Sequence, residues 1–256
     1  ASDAASNAST WSSSSIGVKI LVGAAVVVIM LVGGWLAILQ RMRRQKWAES
    51  QGFRYIKEDV DLGKATRRVF RLAGRRHVAR DVVVIPSAAG TALYYEVTWV
   101  EQHGENKEKK KRTFMRYSLP GALPRMRIKP EGMLGFANDD INTEWQAFNK
   151  AFEVESEDEQ AAHALLTGPM QEFLMDHMRK MHMEIVGGGA FLRLSRYKSE
   201  DSVVYARLMD EWFARVPEFL FGRGERRAGG FAAPTPGGEA AGRPAQFLRV
   251  FCVLIR

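Results

Sequence analysis

The chain has 256 residues, of which 46% are hydrophobic and 26% charged, with a net charge of +8. That is room for one domain with a proper core, plus extensions. The single cysteine, Cys252, excludes an intrachain disulfide and a thiolate metal cluster, and agrees with a reducing compartment.

Residues 1–15 (ASDAASNASTWSSSS) carry only Asp3 and read as a disordered extracytoplasmic N-terminus. Ile16 to Leu39 (IGVKILVGAAVVVIMLVGGWLAIL) form one apolar block. A bilayer core of about 30 Å needs about 20 apolar residues as a helix, and this block supplies them. Lys19, near its start, can snorkel to the headgroups, and Trp35 lies near its other end as an interfacial aromatic. A buried core helix seldom runs this far without a polar face. A cleaved signal peptide would need a basic n-region, which is missing here. The block is therefore expected to be a transmembrane helix. Gly33 and Ala37 make a small-xxx-small pair on which a partner helix can pack. Arg41, Arg43, Arg44 and Lys46 follow at once. Basic flanks stay in the cytoplasm, so the N-terminus is expected outside and the long C-terminal part inside. The same four side chains are expected at the membrane surface, against anionic headgroups.

A cytoplasmic domain is expected from Trp47 to Phe221. KWAESQGFRY continues as a short helix ended near Gly52. DVVVIP (residues 81–86) is a β-branched run. ALYYEVTWVE (92–101) places Leu93, Tyr95, Val97 and Trp99 on one face and Tyr94, Glu96 and Thr98 on the other. RTFMRYSL (112–119) alternates as well, and the polar QHGENKEKKK between the two predicts a long hairpin. RMRIKP (125–130) adds a strand. Asp158–Leu166 and Pro169–Met181 read as helices. MEIVGG and GAFLRLSR predict a second hairpin across Gly187, Gly188 and Gly189. DSVVYARLMDEWFARVPEFLF predicts an amphipathic helix with Val204, Leu208, Trp212 and Val216 on one stripe, capped by Ser202 or Asp201. Antiparallel hairpins with C-terminal helices, rather than alternating βαβ units, indicate an α+β fold.

Three segments, RYSLPGALPRMRIKPEGM, NTEWQAFNKAFEVESEDEQAAHALLTGPMQEFLMD and the IVGGGAFLRLSR stretch with its following helix, carry a resemblance. Glu144, Trp145, Phe148, Asn149, Phe152, Val154, Asp158, Ala161, Leu165, Leu166, Thr167 and Met170 fit a pattern E-[FW]-x-x-F-[ND]-x-x-F-x-V, an acidic turn, then A-x-x-L-L-T-x-x-[ML]. The chain resembles a bacterial, actinobacterial-type family of membrane-anchored α+β domains of unknown function. The resemblance implies one membrane segment and a cytoplasmic α+β domain, and assigns no catalytic residue. On their own chemistry, Trp145, Phe148, Phe152 and Val154 read as core.

No catalytic constellation stands out. His177 and His182 are five apart and would point to different faces of a helix, so no zinc motif is read. No P-loop, dinucleotide fingerprint or GxSxG is present in the sequence. Asp139/Asp140 and Glu157/Asp158 read as turn and capping residues. No cofactor is expected. Basic residues crowd Lys64 to Arg80 and the Lys107–Arg112 hairpin, suiting an anionic lipid surface; no nucleic-acid motif accompanies them.

Residues 222–256 form a Gly/Ala/Pro-rich tail ending in FLRVFCVLIR, whose Phe247, Leu248, Phe251 and Leu254 are expected to dock on protein. These features together predict a non-enzymatic, single-pass accessory or scaffold protein whose partners are other membrane-protein subunits. In an actinobacterium, respiratory or energy-converting assemblies are the expected hosts. An anionic-lipid or polyanion-binding surface module and an enzyme with an unrecognised site are the alternatives.

Overall fold

The computed structural model describes residues 4–104, 106–131 and 141–221. It is an α+β chain in which one long helix enters a domain built on a single antiparallel sheet.

Helix α1 spans Ala4–Ser50 without a break, so residues 4–15, expected to be disordered, are helical here. From Leu21 it contains an 18-residue window of mean hydropathy 2.6, none of it buried against the domain, so it is long and apolar enough to cross a membrane. The helix does not stop at the basic cluster. QRMRRQKW carries good helix formers and no glycine or proline, so the turns run on. Gly52, with φ of 72°, ends it. Its N–H reaches the Glu49 carbonyl at 3.0 Å and the Phe53 N–H reaches Ala48 at 2.9 Å. Phe53 closes the motif against Trp47, ring centroids 6.1 Å apart. This is the paired-carbonyl ending that a left-handed glycine permits.

Strand β1 (Arg54–Asp59) returns alongside α1, and helix α2 (Val60–Phe70) follows directly, Asp59 accepting from the Leu62 N–H at 2.8 Å as its cap. The basic stretch from Lys64 is thus half helix. Strands β2 (Arg75–Ser87) and β3 (Gly90–His103) continue the meander. Strand β4 runs the full 25 residues from Asn106 to Pro130. Its first half pairs β3 in the predicted hairpin, from His103↔Asn106 to Ala92↔Tyr117. Its second half pairs β5 (Phe152–Ser156), and its other edge pairs β6 (His182–Leu194) along most of its length.

Two expectations are corrected here. RTFMRYSL and RMRIKP are one strand, because LPGALP is absorbed as register shifts between Ser118, Leu123 and Met126 instead of breaking the ladder. MEIVGG and GAFLRLSR are likewise one strand, not a hairpin. Gly187, at φ of 55°, sits opposite Leu123 within those same shifts, so the glycines accommodate a bend rather than a reversal.

The sheet is covered on both faces. Helices α3 (Gln146–Asn149), α4 (Glu159–Leu165), α5 (Gly168–His177) and α6 (Asp201–Phe213) bury the larger core, with Tyr94, Met115, Tyr117, Phe148, Phe152, Val154, Leu165, Met170, Leu174 and Trp212 inside it. Trp145 instead stays more than a third exposed. On the opposite face α2 seals Leu62, Ala79, Val82, Tyr95, Val97, Trp99 and Phe114. The alternation read in β3 is therefore real, but both of its faces are interior. Helix α6 is rotated from the expected stripe: Ser202, Ala206, Met209 and Trp212 face inward while Val204 is 64% exposed. Ser202 does not cap it; its hydroxyl donates to the Ser199 carbonyl at 2.6 Å.

Candidate functional site

Asp81 has φ of 52°, between the Arg80 and Val83 register points where β2 bulges against β3. Aspartate tolerates this left-handed backbone better than a β-branched residue would. The bulge turns its carboxylate toward α1, where it is nearly buried. Arg41 Nε donates to Oδ1 at 3.2 Å, Arg44 Nη1 to Oδ2 at 2.6 Å, and the Tyr55 hydroxyl to Oδ1 at 2.5 Å. The Tyr197 hydroxyl donates to the Asp81 carbonyl at 2.9 Å, and the Arg44 guanidinium lies 4.3 Å from the Tyr197 ring centroid. Glu58 adds a second acid, 3.9 Å from Arg41 and 3.3 Å from Arg80. Burial first, and then the Asp81 carboxylate, push the Tyr55 and Tyr197 hydroxyls far above the usual phenol range, so both remain donors. One residue of β2 thus gathers α1, β1 and the segment before α6.

The predicted membrane-surface residues divide accordingly. Arg41 and Arg44 are spent on Asp81, while Arg43 and Lys46 point outward and are exposed. Gly33 has no atom within 4 Å of where a side chain would begin, so the α1 backbone is open there. Ala37 lies on the same helix, one turn on. Phe247, Leu248, Phe251 and Leu254 lie outside the described residues.

Two further clusters carry charge. Arg127 bridges Glu184 (2.6 Å) and Glu155 (2.8 Å), with Lys129 on Glu153 (2.5 Å), tying β4 to β5 and β6. His182 Nε2 lies 3.1 Å from the same Glu184, within this structural network. The second cluster is on α2 and the two residues after it, where Lys64, Arg67, Arg68, Arg71 and Leu72 line an open cavity of about 560 Å³. Among the described residues no group of three His, Cys, Asp or Glu side chains stands together as a metal site.

Sequence reasoning missed Asp81, Tyr55 and Tyr197. The available signal was an acid between Arg80 and a run of valines, where a strand interior should not hold one unpaired.

These features define a class: an α+β domain carried on a continuous apolar helix. No protein-family model and no curated protein matches the chain. Among solved structures, that of the mycobacterial trehalose monomycolate transport factor A, TtfA, is similar at 16% identity, over 69% of this chain and 96% of that one, with a TM-score of 0.45. A likeness of that size carries no assignment of activity.

Proposed function

We propose that the chain is a non-enzymatic, single-pass membrane accessory protein. Its helix α1 spans the bilayer with the N-terminus outside. It packs against a helix of a larger membrane complex and holds the domain on that complex's cytoplasmic side. The observation that carries this reading is the Asp81 junction. A simple tether needs only a flexible link. Here the helix passes into the domain unbroken and is held there by two arginines on one buried carboxylate. Fixing that geometry costs conformational freedom, and it is useful when the domain must meet a surface whose position relative to the membrane is itself fixed. The open backbone at Gly33 and Gly34 supports lateral packing, and exposed Arg43 and Lys46 support the inward orientation of the domain.

The test is extraction of the full chain from its native membrane in mild detergent. Partner subunits should follow at a fixed stoichiometry, and Gly33→Leu with Ala37→Leu should reduce their recovery about tenfold while leaving membrane insertion intact. Recovery of the protein alone, or equal recovery of partners with the leucine variant, overturns the proposal. A lipid-surface role is favoured by one separate feature, the cation-lined cavity on α2.

A further inference from the structure

Lys64, Arg67 and Arg68 stand at i, i+3 and i+4 on the exposed face of α2, and Arg71, the left-handed residue that caps the helix with φ of 50°, adds a fourth cation just past its end. The negative end of the helix dipole draws cations to the last turn. It does not account for Lys64, a turn earlier, nor for a cavity whose lining of Lys64, Arg67, Arg68, Arg71 and Leu72 contains no carboxylate. Asp61 touches Lys64 at 3.2 Å, from a largely solvated position outside that lining.

The Asp81 junction fixes where this cavity lies. Arg41 meets Glu58 while Ala48 meets Phe53, so α1 runs antiparallel to β1. Moving from Arg41 toward the apolar segment is therefore moving along β1 from Arg54 to Asp59, and so into α2. In the sheet, Glu58 faces Arg80, and Arg80 faces Glu96. Gly63 rests on the backbone of His77 to Ala79, and Gly74 rests on Trp99 and Val100. At about 3.3 Å per residue, Trp99 and Val100 lie roughly 10 Å or more beyond Glu96 toward the bilayer side. The cavity sits between these two anchor points. The β3–β4 hairpin runs on in the same direction to its tip, with exposed Lys111, Lys109 and Lys107 standing opposite Thr98, Val100 and Gln102.

We infer that the α2 cavity binds the phosphate headgroup of an anionic phospholipid belonging to the bilayer that α1 crosses. This rests on the membrane-spanning reading of α1. The guanidinium groups of Arg67 and Arg71 suit the paired oxygens of a phosphate, Lys64 adds a mobile charge, and Leu72 offers an apolar floor beside them.

The test uses the full chain in a neutral detergent, titrated with phosphatidylglycerol or phosphatidylcholine of identical acyl chains, with bound lipid counted by native mass spectrometry. Membrane insertion is checked separately by resistance to alkaline extraction; failure there removes the spanning reading itself. Two variants are compared. One carries Lys64→Gln, Arg67→Gln and Arg71→Gln, leaving Arg68, which is engaged within the protein. The other carries Lys107→Gln, Lys109→Gln and Lys111→Gln on the hairpin, removing equal charge. Both should stay close to the parent melting temperature, because the altered side chains are exposed and the ion pairs of Lys64 with Asp61 and of Lys111 with Glu96 are solvated at the lysine. The wild-type chain should prefer phosphatidylglycerol by about tenfold, the α2 variant by less than about twofold, and the hairpin variant as wild type. Millimolar glycerol phosphate should leave lipid binding unchanged. The inference is overturned by absence of the preference, by its survival in the α2 variant, by an equal loss in the hairpin variant, or by displacement with glycerol phosphate, which would mark a soluble-anion site.

Discussion

Arg44, in the last quarter of α1, donates to the Asp81 carboxylate at 2.6 Å across 37 residues of chain. That bond, with Arg41 beside it, makes the orientation of the apolar segment a property of the domain.

Replacing Asp81 with Asn keeps a residue that accepts the left-handed backbone and removes the charge. Arg41 and Arg44 remain 31% and 21% exposed, so water recovers part of the loss. A destabilisation of about 2 kcal/mol is expected, or roughly 5 °C in Tm for a domain of this size. The more specific readout is geometric. Spin labels at Leu31 and Glu172 should give a single narrow distance distribution in the parent and a clearly broadened one in Asp81→Asn. An unchanged width would show that the helix is held by something else.

Gly63 is a packing glycine. A Cβ there would lie 2.7 Å from the His77 carbonyl oxygen and 2.8 Å from both the Ala79 nitrogen and the Val78 Cα, all of them backbone atoms that cannot swing aside. Although alanine is the better helix former, Gly63→Ala should destabilise by about 2 kcal/mol because α2 must lift from β2. Denaturant melts decide it; a neutral or stabilising outcome would mean that α2 has room to shift.

Tyr117 and Asp210 fasten α6 to the sheet. The tyrosine donates to Asp210 Oδ1 at 2.6 Å, and the same oxygen accepts the Ala88 N–H at 2.9 Å. Tyr117→Phe leaves Asp210 with the turn amide alone and should cost about 1–2 kcal/mol. Hydrogen exchange should accelerate in 201–213 more than in β4, whereas a uniform increase would indicate general loosening of the core.

His77 gives the domain an acid sensitivity. It is buried with its ring stacked on Trp99, centroids 5.9 Å apart, and Nε2 2.9 Å from the Ala73 carbonyl. Burial, with Arg67 adding, lowers its pKa below 6.5 against the opposing pull of that carbonyl. Below pH 6.5 the unfolded chain therefore takes up a proton that the folded imidazole refuses. The contribution is complete above that pH and is lost as pH falls. Tm should drop between about pH 7.5 and about pH 5.5, and His77→Gln should flatten the slope. An equal slope in the variant would assign the sensitivity to other groups.

Protease added outside intact cells should leave 54–221 uncut if the domain faces inward. Cleavage within that range under those conditions reverses the proposed topology.

Much of this architecture is written in local pattern. The apolar block, the β3 alternation and the β3–β4 hairpin are legible because periodicity and turn residues agree. Helix α2 is not: Gly63 and three cations mask its short apolar face, and only docking on β2 reveals why the glycine is there. The triple glycine of β6 misleads for the opposite reason. Glycines usually mark reversals, but here they follow the register shifts of a neighbouring strand, a non-local demand. Asp81 is hidden for the same cause. Its partners are 26, 37, 40 and 116 residues away, so no window of sequence contains the site.

The unbroken α1 also makes the chain a lever with its fulcrum at Asp81. From Arg41 back to Leu21 the helix extends about 30 Å. A rotation of about 5° at the fulcrum would sweep the outer end through about 3 Å, comparable to the helix shifts that repack interfaces in switching proteins. A load on the domain near Tyr197 or β1 would therefore be expected to tilt the apolar segment, and a grip on the apolar segment to turn the sheet. If the chain stands between two neighbours as proposed, this joint would let one sense the other without a ligand passing between them.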